Sequence, residues 1–328
     1  MAARIRVVAL VAVVVCVLTP NAARANSFVV TRHLPFAADH VAAYWTGNRG
    51  AHVRLDLGHG HIVGAGRDEP DPRDGGVTYG AVRRASGTRL VRVLSNKPLV
   101  HVHVVAIPDH PLQRIHDKLF GTKPVVTQHT PRPAIIARAD WGADESLRFS
   151  NGKETWPPAF AATTKLIVHH TDTGNNDPDP ASTVRAIYYF HTITRGWGDI
   201  GYNFLIDESG RIYKGRDSHA PGSDTDTITG QDASGNGVTG AHAHNYNSGS
   251  VGVAMLGTLS SQDATPAAKD ALENLLAWEA SEHHIDPHGS TSYPNIAGHR
   301  DVGDTDCPGG AFYATLPSVR DAVAARMY

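Results

Sequence analysis

Cysteine is almost absent from this chain of 328 residues, which contains only Cys16 and Cys307. Cys16 lies in an apolar stretch typical of a secretory signal, so cleavage of that signal would leave Cys307 alone. A single thiol forms no internal disulfide bond, which excludes a disulfide-stabilised scaffold. Cys307 is therefore expected to be idle, paired with another molecule, or bound to a metal ion.

Long apolar runs and an excess of one charge are also lacking. Residues 7–18 are apolar, follow Arg4 and Arg6, and precede a small-residue cleavage site at 23–25, so residues 1–25 are predicted to be a signal peptide. We expect secretion to the cell wall or beyond it, with no membrane span in the mature chain. Removing the signal, which carries three arginines and no acid, leaves 27 basic residues against 32 acidic ones. This balance argues against a nucleic-acid partner.

Residues 26–108 contain short segments of alternating apolar and polar residues, separated by Gly, Asp, Pro and Asn turns. The pattern predicts a small all-β accessory domain with a sandwich-like arrangement. Residues 109–133 are irregular and contain four prolines, so we expect a linker there.

Residues 134–328 form a second compositional region, in which strand-like and helix-like segments alternate. Segments 166–170 and 250–256 are apolar enough for buried strands, and 202–215 has the pattern of a β-hairpin. Thr265 before Pro266 predicts the start of a long helix. Strands interleaved with helices favour an α/β fold with a mixed central sheet flanked by helices.

His169, His299 and Cys307 are the candidate metal ligands. His169 ends a predicted strand, while His299 and Cys307 lie eight residues apart in a predicted loop. A strand end and a loop can converge at the edge of an α/β sheet, and two imidazoles with one thiolate suit a catalytic zinc ion. By spacing alone, however, these residues match no compact zinc pattern, and unrelated histidines beside a buried thiol are the simpler interpretation.

Four phrases follow one another in the second region. They are His169-His170-Thr171, Gly196-Trp197-Gly198-Asp199-Ile200-Gly201-Tyr202-Asn203-Phe204, Gly240-Ala241-His242-Ala243 with Asn247, and Gly298-His299-Arg300-Asp301 with Cys307-Pro308-Gly309. Together with the opening segment 136–143, they make residues 134–328 resemble the peptidoglycan recognition protein and type 2 N-acetylmuramoyl-L-alanine amidase family. The resemblance does not extend to residues 26–130.

The resemblance implies a zinc amidase domain over 134–328, with His169, His299 and Cys307 as the Zn²⁺ ligands. It implies that Tyr202 assists the bound water or the transition state. Thr305 stands where relatives carry Lys or Thr. Its hydroxyl would either hydrogen-bond the oxyanion or cap the loop.

The resemblance also suggests which residues contact the substrate. His242 and Asn247 belong to a phrase that lines the substrate groove in relatives, and Trp197 would lie either in that groove or in the core. Between the hairpin and this phrase the chain inserts residues 217–238, which are rich in Asp, Gly, Ser and Thr. We expect this insertion to be either a lid or specificity element or a flexible surface loop.

Some relatives replace the cysteine ligand and bind cell wall without cutting it. Because Cys307 and Tyr202 are both present, the resemblance implies an active enzyme. We expect the protein to be a monomer. It would hydrolyse the amide between the lactyl group of N-acetylmuramic acid and L-alanine in bacterial peptidoglycan. The all-β domain would then be a wall-binding or positioning module. Two alternatives stay open, namely a non-catalytic peptidoglycan-binding protein of the same fold and a zinc hydrolase of another exported substrate.

Overall fold

The computed structural model describes residues 28–48, 50–68, 70–108, 130–223 and 225–327. The predicted signal peptide and most of the predicted linker, residues 109–129, lie outside the described residues. Within the described part, no helix has the length and apolar character needed to cross a bilayer.

The described part of the N-terminal region is built of β-strands, with one short helical turn at Pro72–Asp74, which confirms the prediction of a β-rich region. Its strands, in chain order, are β1 (Phe28–Gly47), β2 (Val53–Asp56), β3 (Ile62–Gly64), β4 (Thr78–Tyr79), β5 (Arg83–Ser95) and β6 (Leu99–Ile107). They form one six-stranded antiparallel sheet.

The long strand β1 pairs with three other strands of this sheet, β4, β5 and β6. Its pairing with β5 shifts register between His33 and Ala38 and again between Ala38 and His40. Pro35 lies within the first shift, where its missing N–H cannot break a regular ladder. Beyond the shifts, β1 pairs with β6 and β4. The described strands therefore pair into a single sheet, and apolar residues of β1, β2, β5 and β6 form one buried cluster.

The second region is a mixed α/β domain. Its elements are β7 (Ile135–Ile136), α1 (Arg138–Trp141), β8 (Phe149–Ser150), β9 (Lys153–Glu154), β10 (Phe160–Ala161), β11 (Lys165–His170), α2 (Pro180–Tyr189), β12 (Phe204–Ile206), β13 (Ile212–Lys214), β14 (Gly237–Val238), β15 (Ser250–Met255), α3 (Pro266–Glu282), β16 (Ile296–Gly298), α4 (Gly310–Tyr313) and α5 (Leu316–Arg326). A π-helical turn, Phe190–Thr194, extends α2. As predicted, Thr265 caps α3, because its hydroxyl oxygen accepts the N–H of Ala268 at 3.2 Å.

The central sheet has the order β16-β11-β15-β12-β13-β7. Strands β16, β11, β15 and β12 are parallel, and β13 turns back against β12 as the predicted hairpin. Alternate side chains face opposite sides. Val168, Val253 and Phe204 pack with α3 and α5, whereas Leu205 and Ala254 pack with α2. The mixed sheet flanked by helices is thus confirmed, with α2 on one face and α3 and α5 on the other.

The all-β region packs directly against the α2 side of this sheet. One buried apolar cluster combines Ala42, Val82 and Ile107 of the all-β region with residues of the α/β domain such as Val184 and Tyr188. Burial of apolar surface favours such a contact by about 25 cal/mol per Å². The two regions therefore share part of one core.

Candidate metal centre

The parallel pairing of β11 with β16 brings the candidate ligands together. His169 is the penultimate residue of β11, and His299 follows β16 directly, so both lie at the carboxyl edge of the sheet. The ligand atoms of His169, His299 and Cys307 lie within 4.8 Å of one another. The Sγ atom of Cys307 is 3.6 Å from Nδ1 of His169, and the two imidazole rings are 4.6 Å apart. All three side chains are buried.

This donor set fits a zinc ion. Two imidazole nitrogens and one thiolate are ligands that Zn²⁺ prefers, and three protein ligands leave a fourth position for water or substrate. The second ring nitrogen of His169, Nε2, lies 3.1 Å from Nδ1 of His242. A hydrogen bond to the remaining nitrogen of a metal-bound histidine fixes its tautomer and its orientation. His242 is therefore placed to orient His169.

Backbone contacts hold the cysteine. The N–H of His170 donates to Sγ of Cys307 over 3.4 Å, and such a bond favours the thiolate. The hydroxyl oxygen of Thr305 accepts the N–H of Cys307 at 3.1 Å, which is the loop-capping contact considered for it. Arg300 donates its backbone N–H to the Cys307 carbonyl at 3.0 Å. Asp301 accepts the Gly298 N–H at 2.8 Å, so both residues stabilise the ligand loop.

His170, the neighbour of the first ligand, faces the other side of the sheet. Its Nδ1 atom accepts the N–H of Leu259 at 3.1 Å. This is the packing role expected from strand alternation.

Tyr202 lies beside the metal-ligand cluster and is buried. Its ring centroid is 5.5 Å from that of His169, and its carbonyl accepts the N–H of Arg216 at 2.8 Å. The loop before it is anchored by Asp199, whose two oxygens accept from Arg138 at 3.1 Å and from Arg216 at 2.7 Å. Burial raises the pKa of Asp199, but the two guanidinium groups outweigh it and lower this pKa to about 2.

The three predicted substrate contacts lie around one cavity of about 190 Å³. Trp197, His242 and Asn247 line it, together with Ala241, Ala243, His244 and, from the all-β region, Pro70, Asp71 and Arg73. Asn247 also shapes its own loop, since its Oδ1 atom accepts the N–H groups of His242 and Ala243, both at 2.8 Å. The contribution of Pro70, Asp71 and Arg73 was not predicted from the sequence, because these residues belong to no motif and lie outside the family resemblance.

A second cluster, formed by Glu154, Asp217 and His219, also brings potential ligand atoms within 4.8 Å. Here the Nη1 atom of Arg148 contacts Glu154 and lies 2.9 Å from Oδ2 of Asp217. His219 contacts the Asp217 carboxylate as well. The guanidinium group of Arg148 already lies against both carboxylates, so these contacts form an ion-pair network.

The inserted residues 217–238 are joined to the domain at several points. Asp217 is buried in the ion-pair network, and Oδ1 of Asp226 accepts from the hydroxyl of Ser218 at 2.9 Å. Strand β14 pairs with β10 at the end of the insertion. The described residues of the insertion therefore form an ordered loop that has hydrogen bonds of its own.

Known proteins resemble part of this chain. A family profile described as N-acetylmuramoyl-L-alanine amidase matches residues 160–310, which include all three candidate ligands. Peptidoglycan-recognition protein LB of Drosophila melanogaster is 33% identical over 189 residues, covering 56% of this chain and 68% of the relative. Peptidoglycan-recognition protein SC2 of that species is 33% identical over 178 residues, covering 53% and 80%. An N-acetylmuramoyl-L-alanine amidase of Sus scrofa is 30% identical over 190 residues, covering 56% and 27%.

Solved structures resemble the chain over a similar share. Wild-type Drosophila PGRP-LB has 31% sequence identity, covers 56% of this chain and 93% of its own, and aligns with a TM-score of 0.43.

Proposed function

The chain belongs to the peptidoglycan recognition protein and N-acetylmuramoyl-L-alanine amidase family, and from that membership we propose that it is a secreted, zinc-dependent amidase. Its substrate would be bacterial peptidoglycan, cut between the lactyl group of N-acetylmuramic acid and L-alanine. The observation that carries the proposal is the convergence of His169, His299 and Cys307 at one sheet edge. A member of this fold that only bound cell wall would not need the complete ligand set.

The proposed chemistry assigns one task to each part of the site. His169, His299 and Cys307 would hold the zinc ion, which polarises an amide carbonyl and lowers the pKa of a water molecule when bound. His242 keeps the His169 ring in the orientation in which Nδ1 faces Cys307. The hydroxyl of Tyr202 would donate a hydrogen bond to the negative charge that develops on the carbonyl oxygen.

Burial supports this assignment. His169 and Tyr202 are only 0% and 2% exposed, so electrostatic contacts at the site act in a medium of low polarity. Thr305 would contribute less, because its hydroxyl oxygen already accepts the Cys307 N–H, although the hydroxyl proton remains able to donate. Trp197, His242 and Asn247 would form the wall against which the muramyl peptide lies.

The experiment is mass spectrometry of the products formed from a defined muramyl tripeptide. We expect zinc-loaded protein to release a peptide with a free L-alanine amino terminus, and a chelator to stop the release until zinc is restored. Cys307→Ser serves as the inactive control. Binding of the tripeptide without release would indicate the non-catalytic alternative, and cleavage of a different bond would indicate another zinc hydrolase.

A further inference from the structure

The all-β region reaches into the cavity beside the candidate metal centre. We name Asp68 together with residues 70–74 the wall segment. Pro70, Asp71 and Arg73 of this segment line the cavity opposite Trp197 and His242. His242 also contacts the ligand His169. The cavity therefore adjoins the metal centre through the His242 side chain, and one of its sides comes from a region outside the family resemblance.

The wall segment is locally ordered. The carboxylate of Asp71 accepts the backbone N–H of Arg73 at 2.8 Å, and Asp74 accepts the N–H of Asp71 at 2.9 Å. This reciprocal capping closes a short helical turn, Pro72–Asp74. The Asp71 carboxylate also holds the Arg73 guanidinium, which stays 71% exposed at the cavity.

A buried arginine connects the wall segment to the α/β domain. The side chain of Arg195 is 0% exposed and pairs with Asp68, while its Nη2 atom lies 3.1 Å from Oδ2 of Asp74. Its guanidinium lies 4.4 Å from the ring centroid of Tyr79 and 4.3 Å from that of Trp197. A buried guanidinium between two rings and two carboxylates has one well-defined position, and the Trp197 ring is held by it.

Asp68, which pairs with Arg195, also contacts His191. Oδ1 of Asp68 lies 3.2 Å from Nε2 of His191, and Nδ1 of His191 accepts the N–H of Gly201 at 3.1 Å. Gly201 directly precedes Tyr202. The His191 ring also lies 4.6 Å from the Trp197 ring. Asp68 thus contacts both side chains that support Trp197.

We propose that the substrate groove is shared between the two regions, with Asp71 and Arg73 forming its outer wall and Asp68 acting as a positioning residue for Trp197 through Arg195. The occupant is the muramyl peptide, so this inference rests on the proposed function. The all-β region is then part of the binding site for a single substrate molecule. A module that only tethers the enzyme to the cell wall would not contribute side chains to the cavity.

Kinetics on soluble muramyl tripeptide distinguish a shared groove from a module that only tethers the enzyme to the cell wall. Because a soluble substrate needs no tether, only a shared groove predicts that changes in the wall segment affect its binding. Arg73→Ala removes the exposed wall side chain. Asp68→Asn keeps an oxygen for His191 but removes the charge that pairs with Arg195. We expect each variant to raise KM about 3- to 10-fold, the range for losing one ordinary hydrogen bond, with kcat within about twofold of the parent. The dissociation constant measured by calorimetry in the Cys307→Ser background should rise equally.

Arg92→Ala is the matched control. Arg92 also lies in the all-β region, pairs with an aspartate, Asp56, and has a side chain that is 53% exposed. We expect its KM and zinc content to equal those of the parent. If Asp68→Asn unfolds at a lower temperature than the parent, Arg73→Ala still tests the shared groove, because the Arg73 side chain is exposed and packs in no apolar core.

Unchanged KM and dissociation constant in Arg73→Ala, or an equal rise in Arg92→Ala, would overturn the shared groove. Failure of the parent protein to cleave the tripeptide would instead count against the proposed function, and the calorimetric comparison would still test the wall.

Discussion

Two clusters in the described part of the chain bring potential metal ligands within the same distance, yet they differ in the ligands they offer. In the Glu154, Asp217 and His219 cluster, two of the three residues are carboxylates, and Arg148 lies against both of them. The other cluster offers two imidazoles and one thiol, and His242 contacts the second ring nitrogen of His169. Ligand proximity alone therefore does not mark a metal site, and it is the nitrogen and thiolate donors that favour zinc at His169, His299 and Cys307.

The largest expected effect comes from Cys307→Ser, because a serine hydroxyl is a poor zinc ligand. We expect turnover to fall more than about a thousandfold, since losing the Lewis acid removes more than a single oxyanion donor would. Zinc content and turnover are measured on the same preparation. Retained activity without zinc would contradict the role of this cluster.

Arg148→Ala tests the other cluster. It leaves Glu154 and Asp217 without their cation, so we expect the free energy of unfolding to fall by about 3 kcal/mol, with zinc content unchanged. Urea denaturation measures the loss, and Arg148→Lys, which keeps a positive charge, should lose less. A variant that lost zinc would mean that the two clusters are not independent.

Tyr202→Phe separates metal binding from catalysis within the first cluster. Phenylalanine keeps the ring beside His169 but removes the hydroxyl, so zinc should remain while kcat falls about 100-fold. Steady-state kinetics with metal analysis checks both. An unchanged kcat would remove Tyr202 from the proposed chemistry.

Acid should weaken the ion pairs around Asp199. Its pKa is about 2 in the folded protein, below the ordinary value of 3.8. A depressed pKa stabilises the fold fully above pH 3.8, and this contribution disappears as the pH falls through 2. It amounts to about 2 kcal/mol. Asp199→Asn should therefore show a smaller loss of unfolding free energy between pH 4.5 and pH 2 than the parent does. Equal losses would contradict the assignment.

Thr305→Ala should have the smallest effect. Loss of the hydroxyl that accepts the Cys307 N–H is expected to cost about 1 kcal/mol of stability and less than about tenfold in kcat. Thr305→Ser, which keeps the hydroxyl, is the control. A loss of kcat as large as that in Tyr202→Phe, restored by serine, would indicate direct contact with the reacting carbonyl.

The central sheet was predictable because its signals are local. The apolar strand ending at His169 and the cap at Thr265 need no knowledge of distant residues, and parallel strands place their carboxyl ends at one edge. The length of strand β1, Phe28–Gly47, could not be predicted, because Pro35 interrupts its pattern where the register shifts. The pairing of Asp68 with Arg195 joins residues 127 positions apart in different regions, and no spacing rule reports such a contact.

The zinc content of three purified proteins, measured by mass spectrometry, tests the candidate metal centre most directly. We expect one zinc ion per chain in the parent, one in Asp217→Asn, and none in Cys307→Ser. If zinc remained in Cys307→Ser but disappeared in Asp217→Asn, the metal would lie in the Glu154, Asp217 and His219 cluster. That result would contradict the proposed enzyme.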